Sequence, residues 1–306
     1  MKKKIFIVLI SFFVFVSCLF FLPRNPFSKE TEVFAIEKGE GSKEIAHRLQ
    51  KEGIIWWAPA FRLYSLVSGN ADRLQAGKYF VSPSISIAQI INKFGHGKIA
   101  AVKVTVPEGF TAQQIYQNLK DISQADPERL KELEGYLFPD TYLIPYGASN
   151  DEIVKIMTDN FNNKVTQEMK EAIANQGKSL EDIVVMASLI EKEVRVKEEK
   201  EIVSGIFWKR VKAGVPLQSC ASIAYIKGVS QWRYSYEDTQ IESPYNTYLH
   251  YGLPPGPISN PGLDSILAAI YPKSSSYWYY LSTREGETIF SRNLEEHNIA
   301  ISKYLK

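Results

Sequence analysis

A glutamate at position 191 follows an apolar run in the stretch VVMASLIEKEVRVKEE, residues 184–199. The run predicts a helix whose core-facing side chains recur at helical spacing: Ile183, Met186, Ile190 and Val194. Glu191 lies in the adjacent stripe, beside small and apolar side chains. Because glutamate is rarely buried unless it is paired or takes part in chemistry, this position is a candidate functional residue.

The helix alone leaves two interpretations of Glu191 open. Partial burial would raise its pKa and keep it protonated near neutral pH, as a general acid requires. Alternatively, Glu191 is a structural residue paired with a cation, and Arg195, one turn further on, is the nearest candidate. Glu193 lies on another face of the helix, and we expect it to be solvated.

Two loops carry polar and aromatic residues that suit a groove for sugars. The first, residues 134–142, holds four candidates among glycine and proline: Glu134, Tyr136, Asp140 and Tyr142. The same composition also fits a well-packed corner. The second loop has glycine or proline at nearly every second position after Tyr251, which excludes regular structure. It predicts a rigid, extended segment with Asn246 and Tyr248 available to a ligand.

Composition and spacing argue against several kinds of site. The net charge is +2 with acids and bases interspersed, so no nucleic-acid surface is indicated. The four histidines lack metal-ligand spacing, and no phosphate-binding glycine loop or nucleophile–base pair stands out. We therefore expect neither a metal nor a cofactor. Cys18 and Cys220 are the only cysteines, so no disulfide is expected beyond the N-terminal apolar run.

The first 22 residues indicate a membrane anchor. Lysines at residues 2–4 precede an apolar run at 5–22 that is just long enough to span a bilayer. Because lysines stay on the cytoplasmic side, residues 1–4 are assigned to the cytoplasm, 5–22 to a transmembrane helix and 23–31 to an external tether. A cleaved signal peptide is the competing interpretation, and the residues before Cys18 loosely resemble a lipoprotein cleavage box.

Beyond the tether, the sequence predicts an α+β fold in two parts. Residues 32–100 form a small α+β module, with a helix at 85–94 capped by Ser84 or Ser86. The alternating stretch AAVKVTVPEGF opens a larger mixed α+β domain at residues 101–306. Within this domain we expect a helix at 180–198 that leads to another at about 201–213.

Five motifs occur in the order seen in a known family: EGYLFPDTY, MASLIEKEV, SPYNTY, GLPPGPISNPG and the F-S-x-N-x-x-x-H-N pattern of residues 290–298. Over residues 33–306 the chain resembles the MltG/YceG-like endolytic murein transglycosylases, and its front module resembles their LysM-like subdomain. One departure is LQSCAS in place of the LQSDPT of many members. Cys220 thus stands at an acidic position, and any role of that acid is in doubt here.

The resemblance implies an activity and a site. Glu191 would be the acid/base that cleaves the β-1,4 bond between N-acetylmuramic acid and N-acetylglucosamine in nascent glycan strands. The product would be a 1,6-anhydro end that terminates elongation. The substrate-binding candidates lie in and beside the shared motifs: Glu134, Tyr136, Asp140, Tyr142, Ser188, Gln218, Tyr245, Asn246, Tyr248 and Asn260. The implied partners are peptidoglycan strands, the cytoplasmic membrane and peptidoglycan synthases, with the catalytic domain outside that membrane and no nucleic acid involved.

Two other functions stay open. A non-catalytic peptidoglycan-binding or division-scaffold protein would need only the anchor and the front module. A hydrolytic muramidase would need a second carboxylate across the cleft, with Glu134, Asp140 or Glu242 as candidates.

Overall fold

The computed structural model describes residues 20–229, 231 and 233–305. Twelve α-helices and three two-stranded sheets lie wholly within these residues, which confirms the predicted α+β class. The chain divides into two compact units. The first holds the described residues up to Val102 together with residues 143–147, and the second holds residues 103–142 and the chain from Ala148 onward.

The first unit combines a two-stranded antiparallel sheet with three helices. Its elements are β1 (Glu32–Ile36), α1 (Ser42–Lys51), α2 (Ala58–Val67), β2 (Gly77–Val81) and α3 (Ile87–Gly95). Phe94 lies at the centre of an aromatic cluster with Phe34, Phe61 and Tyr79, and all four rings are buried. Ser86 caps α3 in a capping box with Gln89, so the second of the two predicted caps is confirmed.

The second unit contains most of the helices. Its elements, with the two strands in which the chain passes between the units, are β3 (Ala101–Thr105), α4 (Ala112–Leu119), α5 (Pro127–Lys131), β4 (Thr141–Pro145), α6 (Asn150–Lys164), α7 (Gln167–Asn175), α8 (Leu180–Glu193), α9 (Lys197–Ala213), α10 (Cys220–Lys227), α11 (Leu263–Ile270), β5 (Tyr279–Ser282), β6 (Thr288–Ser291) and α12 (Leu294–Tyr304). β5 and β6 form an antiparallel hairpin.

The core of the second unit is built around α8. Every residue of this helix from Ile183 to Ile190 is buried, and the helix packs against α9, α10 and α11. A helix that is apolar on all sides is buried on all sides, so α8 forms the centre of the unit. On α9, Gly205 allows close packing, because a Cβ there would lie 2.1 Å from the Lys273 carbonyl oxygen.

The predicted helix at 180–198 is wrong in one respect that matters for the site. The structure ends α8 at Glu193, where Val194 adopts an extended backbone (φ −139°, ψ 152°), and α9 begins at Lys197. Two β-branched valines, Val194 and Val196, flank the break, and such residues favour extended backbone. The break lets α9 fold back against α8.

The predicted membrane anchor at residues 5–22 lies outside the described residues, apart from its last three positions. Within the part of the chain that the structure describes, no helix combines the length and the apolar character needed to cross a bilayer.

Candidate active site

Glu191 lies in the last turn of α8, and both of its carboxylate oxygens accept from Lys200 on α9 at 3.2 Å. The two side chains are only 8% and 4% exposed, respectively. Oε2 accepts two further hydrogen bonds, from the Ser265 hydroxyl at 2.7 Å and from the Gly262 backbone N–H at 3.0 Å. The carboxylate is therefore held by one cation and two neutral donors, which compensate for its removal from water.

These donors belong to the start of a helix. Gly262 is the N-cap of α11, and Ser265 lies in its first turn. The N-terminus of a helix carries a partial positive charge and unpaired N–H groups, which stabilise a negative charge placed there. The end of α8 is thereby joined to the start of α11 through one charged group.

The partner of Glu191 is not the one that the helix pattern suggested. Arg195 lies in the break between α8 and α9 and is exposed. Lys200 takes its place because the break turns α9 back over the end of α8. Burial of both charges in one pair explains how α9 can carry a lysine on its buried face.

Glu193 was expected to be solvated, and this expectation is wrong. Its carboxylate accepts hydrogen bonds from the Ser219 hydroxyl and from the Ala221 N–H at 3.1 Å, and the Tyr280 hydroxyl lies close to it. The carboxylate of Glu193 therefore lies against the N-terminus of α10 on one side and against β5 on another. Burial raises the pKa of Glu193, and the hydrogen bonds oppose that shift.

Glu191 and Glu193 both line a cleft of about 1140 Å³ within the second unit. The α9–α10 connection, the β5–β6 hairpin and α12 form the other walls. The volume exceeds that of a typical small-molecule pocket, so the cleft has room for an extended ligand such as an oligosaccharide. Acidic and basic side chains line the cleft, including Glu108 and Arg210.

Of the ten predicted substrate-binding residues, Gln218 and Tyr248 line this cleft. Gln218 has φ 54°, the one positive φ found at a non-glycine residue in the described chain. Arg210 donates to the Gln218 Oε1 at 3.2 Å, and the Gln218 N–H donates to the Thr247 carbonyl at 2.9 Å. The two contacts, one from the side chain and one from the backbone, hold Gln218 in this unusual backbone conformation at the cleft wall.

Cys220, which also lines the cleft, is 3.1 Å from the Tyr248 hydroxyl. Cys220 is exposed at the cleft wall, and desolvation by the surrounding protein together with the nearby Glu193 raises the pKa of its thiol to about 11. The thiol is therefore neutral at physiological pH. It cannot supply the negative charge of the aspartate that resembling proteins often have here.

Glu134 and Asn260 form a hydrogen-bonded group outside the cleft lining. Glu134 accepts from the Ala112 N–H at the start of α4, at 3.0 Å to each oxygen, and from the Asn260 amide at 2.8 Å. Asn260 is fully buried, and its Oδ1 accepts from the N–H groups of Gly135 and Leu137 at 2.9 Å. These contacts fix three separate chain segments against one another.

The other aromatic and acidic candidates of the 134–142 loop are also outside the cleft lining. Tyr136 packs edge-on against Phe161 at a centroid distance of 5.2 Å. Asp140 and Tyr142 both accept from the Asn160 amide at 3.0 Å, and the Tyr142 hydroxyl donates to the Phe138 carbonyl. This loop is held as a packed corner.

Three further candidates lie near the start and end of the glycine- and proline-rich loop. The buried Ser188 hydroxyl accepts from the Ile258 N–H at 3.0 Å and so pins the loop to α8. Asn246 is fully buried and donates to the carbonyl oxygens of residues 239 and 241. Tyr245 packs against Tyr225 at 5.0 Å. In this structure, all three side chains contact other parts of the protein and hold its loops in position.

Four residues of the site were not singled out by the sequence pattern: Glu108, Lys200, Gly262 and Ser265. The Glu-Gly pair at 108–109, directly after an alternating stretch, was a usable signal for Glu108. Nothing local identified Lys200 or Ser265, because their partner lies across a helix break or more than 70 positions away. Among the described residues, no group of three or more histidine, cysteine or acidic side chains could hold a metal ion.

We predict that Lys200→Met destabilises the protein by about 3–5 kcal/mol, because the Glu191 carboxylate then stays buried without its cation. Urea denaturation of the variant and of the wild type measures the difference. The double variant Glu191→Gln, Lys200→Met should recover most of the loss, since neither charge remains. Equal stability of wild type and Lys200→Met would contradict this account of the pair.

A second prediction concerns Glu134, whose pKa burial raises from 4.5 to about 7, against the opposing effect of its hydrogen bonds. The folded state therefore binds this proton more tightly than the unfolded chain does. The free energy of unfolding should fall as the pH rises from about 4.5 to about 7, by roughly 1.4 kcal/mol per pKa unit. Denaturation at pH 5 and at pH 7.5 should differ less in Glu134→Gln than in the wild type, and an unchanged difference would count against the shift.

Comparison with known proteins places this site in a family. The family model described as "YceG-like family" matches residues 34–303. The chain is 34% identical to a Bacillus subtilis (strain 168) protein named "Endolytic murein transglycosylase", over 92% of this chain and 87% of the relative. It is 27% identical to a Streptococcus pneumoniae (serotype 2, strain D39) protein of the same name, over 93% of this chain and 60% of the relative.

A solved structure gives the same result. The crystal structure of a yceG-like protein from Listeria monocytogenes superposes with a TM-score of 0.59 at 30% identity, covering 89% of this chain and all of that chain. The family match spans most of the chain, including both Glu191 and the residues that hold it. The protein therefore belongs to the YceG-like family.

Proposed function

We propose that this protein is an endolytic murein transglycosylase that cleaves the β-1,4 bond between N-acetylmuramic acid and N-acetylglucosamine. The observation that carries the proposal is Glu191, a nearly buried carboxylate at the wall of a cleft large enough for a glycan. The names of the relatives from Bacillus and Streptococcus support the same activity.

Glu191 serves as both acid and base in the proposed reaction. Its protonated form donates to the glycosidic oxygen, the bond to the muramic C1 breaks, and positive charge develops at C1. The resulting carboxylate then takes the proton from the C6 hydroxyl of the same sugar as that oxygen bonds to C1. One proton leaves and one returns, a 1,6-anhydro ring forms, and no water is consumed.

The contacts of Glu191 suit the half of the cycle in which it is charged. Lys200, Ser265 and the Gly262 N–H stabilise the carboxylate without any movement of solvent. They also fix its orientation, so the same oxygen can meet the leaving oxygen and then the C6 hydroxyl. Gln218 and Tyr248 are the candidates for direct contact with the glycan, while Glu134, Ser188, Asn246 and Asn260 would maintain the loops around it.

The two alternative functions differ from this reaction in what they require of the site. A muramidase needs a second carboxylate that activates water or forms a covalent intermediate. The three candidates for that role, Glu134, Asp140 and Glu242, do not line the cleft, but Glu108 and Glu193 do. The chemical nature of the new glycan end, and not the number of carboxyl groups, therefore distinguishes the two reactions. A non-catalytic binding protein would not require a buried charge at the cleft wall, where its burial is costly without a function.

We predict that Glu191→Gln still folds, although with lower stability, because Lys200 then stays buried without its anion. Glycan cleavage should fall at least about 100-fold, because an amide cannot donate the proton. Circular dichroism tests the fold, and mass spectrometry of digested peptidoglycan counts 1,6-anhydro ends. Glu198→Gln, an exposed change in the first turn of α9, is the matched control and should behave as wild type. Retention of more than about a tenth of wild-type cleavage by Glu191→Gln would reject its assigned role.

The family resemblance and the N-terminal sequence support a location for this activity. Residues 5–22 would form a single membrane span with the N-terminus in the cytoplasm, followed by a tether at 23–31, a LysM-like module at 32–100 and the catalytic domain at 101–306. The cleft would then work near the outer surface of the cytoplasmic membrane. There it could cleave strands as peptidoglycan synthases release them and so limit their length.

A C-terminal fusion to an enzyme that is active only outside the cytoplasm should be active and membrane-bound, because residues 2–4 resist translocation. The fusion without residues 1–22 should be inactive and stay in the soluble fraction. A second fusion should carry, at the C-terminus of the full chain, a reporter that is active only in the cytosol. Activity of that reporter would refute this topology.

A further inference from the structure

A second carboxyl group, that of Glu108, stands beside Glu191 at the cleft wall. A Cβ added to Gly262 would lie 2.0 Å from the Glu108 Oε1, and the N–H of this same Gly262 donates to Glu191. The carboxyl of Glu108 therefore covers the glycine that binds Glu191. Since Gly262 has φ −74°, it is the lack of a side chain, not backbone strain, that leaves room for Glu108.

The backbone around Glu108 is clamped in place. The Gly109 N–H donates to the Asn260 carbonyl, and the Asn260 N–H donates to the Phe110 carbonyl, both at 2.9 Å. On the other side, Lys192 donates to the Gly109 carbonyl at 3.2 Å, and a Cβ on Gly109 would lie 3.4 Å from the Glu191 Cγ. The proximity of Glu108 to Glu191 is thus fixed by hydrogen bonds on two sides.

The charges around Glu108 come from three helices. Glu191 on α8 and Asp264 on α11 repel its negative form, whereas Lys200 on α9 attracts it. Glu108 is exposed on its outer side, and partial desolvation together with Glu191 and Asp264 raises its pKa. Within the described residues its carboxyl has no hydrogen-bond donor to oppose this shift. One lysine, already committed to Glu191, faces two carboxyl groups.

We propose that Glu108 and Glu191 act as a carboxyl pair that shares one proton, with Glu108 as a second acid/base residue of the reaction. The proposal rests on the transglycosylase function proposed above and adds a residue to it. Two carboxyl groups that share a site do not ionise independently, and the first charge keeps the second group protonated.

The pair gives up one proton when the glycosidic bond breaks and regains one when the new ring bond forms. The shared proton passes to the glycosidic oxygen as the bond to C1 breaks, and the pair becomes doubly negative. Lys200 and the positive charge developing at the muramic C1 compensate for these two charges. The C6 hydroxyl then bonds to C1 and returns its proton to the pair, so the enzyme regains its starting state with no other reactant.

The test compares Glu108→Gln, Glu108→Asp and the control Asp264→Asn, all in the full-length protein. Asp264 forms an exposed ion pair with Lys197, so its change removes one nearby negative charge without altering the cleft lining. The assay counts 1,6-anhydro ends from purified peptidoglycan strands as a function of pH. Circular dichroism checks the fold of each variant.

Glu108→Gln should lower kcat at least about tenfold and shift the alkaline limb of the pH–rate profile downward by about one unit or more. Glu191 then loses the neighbour that holds the proton in the pair. Glu108→Asp, which keeps the acid, should retain the wild-type limb and more activity, and Asp264→Asn should stay within about twofold of wild type. These results would support the pair.

An unmoved alkaline limb in Glu108→Gln, whether or not its rate falls, would overturn the pair, since a structural role alone does not move the limb. That outcome leaves the proposed function intact as long as the wild type releases anhydro ends. If the wild type releases none in the same assay, the proposed function fails, and the pair fails with it.

Discussion

The ion pair between Glu191 and Lys200 joins three helices of the second unit. Glu191 ends α8, Lys200 lies on the buried face of α9, and the donors from Gly262 and Ser265 begin α11. A carboxylate removed from water needs a cation and several donors, so each helix must meet the others at one point. The break after Glu193 is what allows this, because a continuous helix would carry Lys200 away from Glu191. The position of the candidate catalytic group and the packing of the unit therefore depend on the same contact.

Contact between a carboxyl group and a helix N-terminus occurs at three glutamates of this unit. Glu134 accepts from the start of α4, Glu191 from the start of α11 and Glu193 from the start of α10. In each case a helix N-terminus supplies donors and a partial positive charge to a carboxyl group held away from water. Of the three, Glu191 alone also has a lysine within hydrogen-bond distance among the described residues. That difference fits the role proposed for Glu191, which must carry a negative charge during the reaction.

The sequence predicted what depends on local pattern and missed what depends on distant segments. Apolar periodicity placed Glu191 on a buried helix, and local chemistry identified the Ser86 cap. Neither could show which segments would cover the end of α8. The pattern of its own helix predicts that Glu193 is solvated, yet Ser219 at the start of α10 and Tyr280 on β5 lie beside it, 26 and 87 positions further along the chain. Glu108, Gly262 and Ser265 come close to Glu191 through the clamp at Asn260 and the packing of α11. The motifs name some of these residues but do not show which segment each of them faces.

In the proposed reaction, a carboxyl group held at a helix N-terminus cleaves glycan by internal ring closure and not by adding water. The most direct measurement is digestion of purified peptidoglycan by the full-length protein in water enriched in oxygen-18, followed by mass spectrometry of the new ends. Internal closure takes its oxygen from the C6 hydroxyl, so the account predicts anhydro ends that carry no label. One labelled oxygen for each bond cleaved would show that water is the nucleophile and would contradict the account.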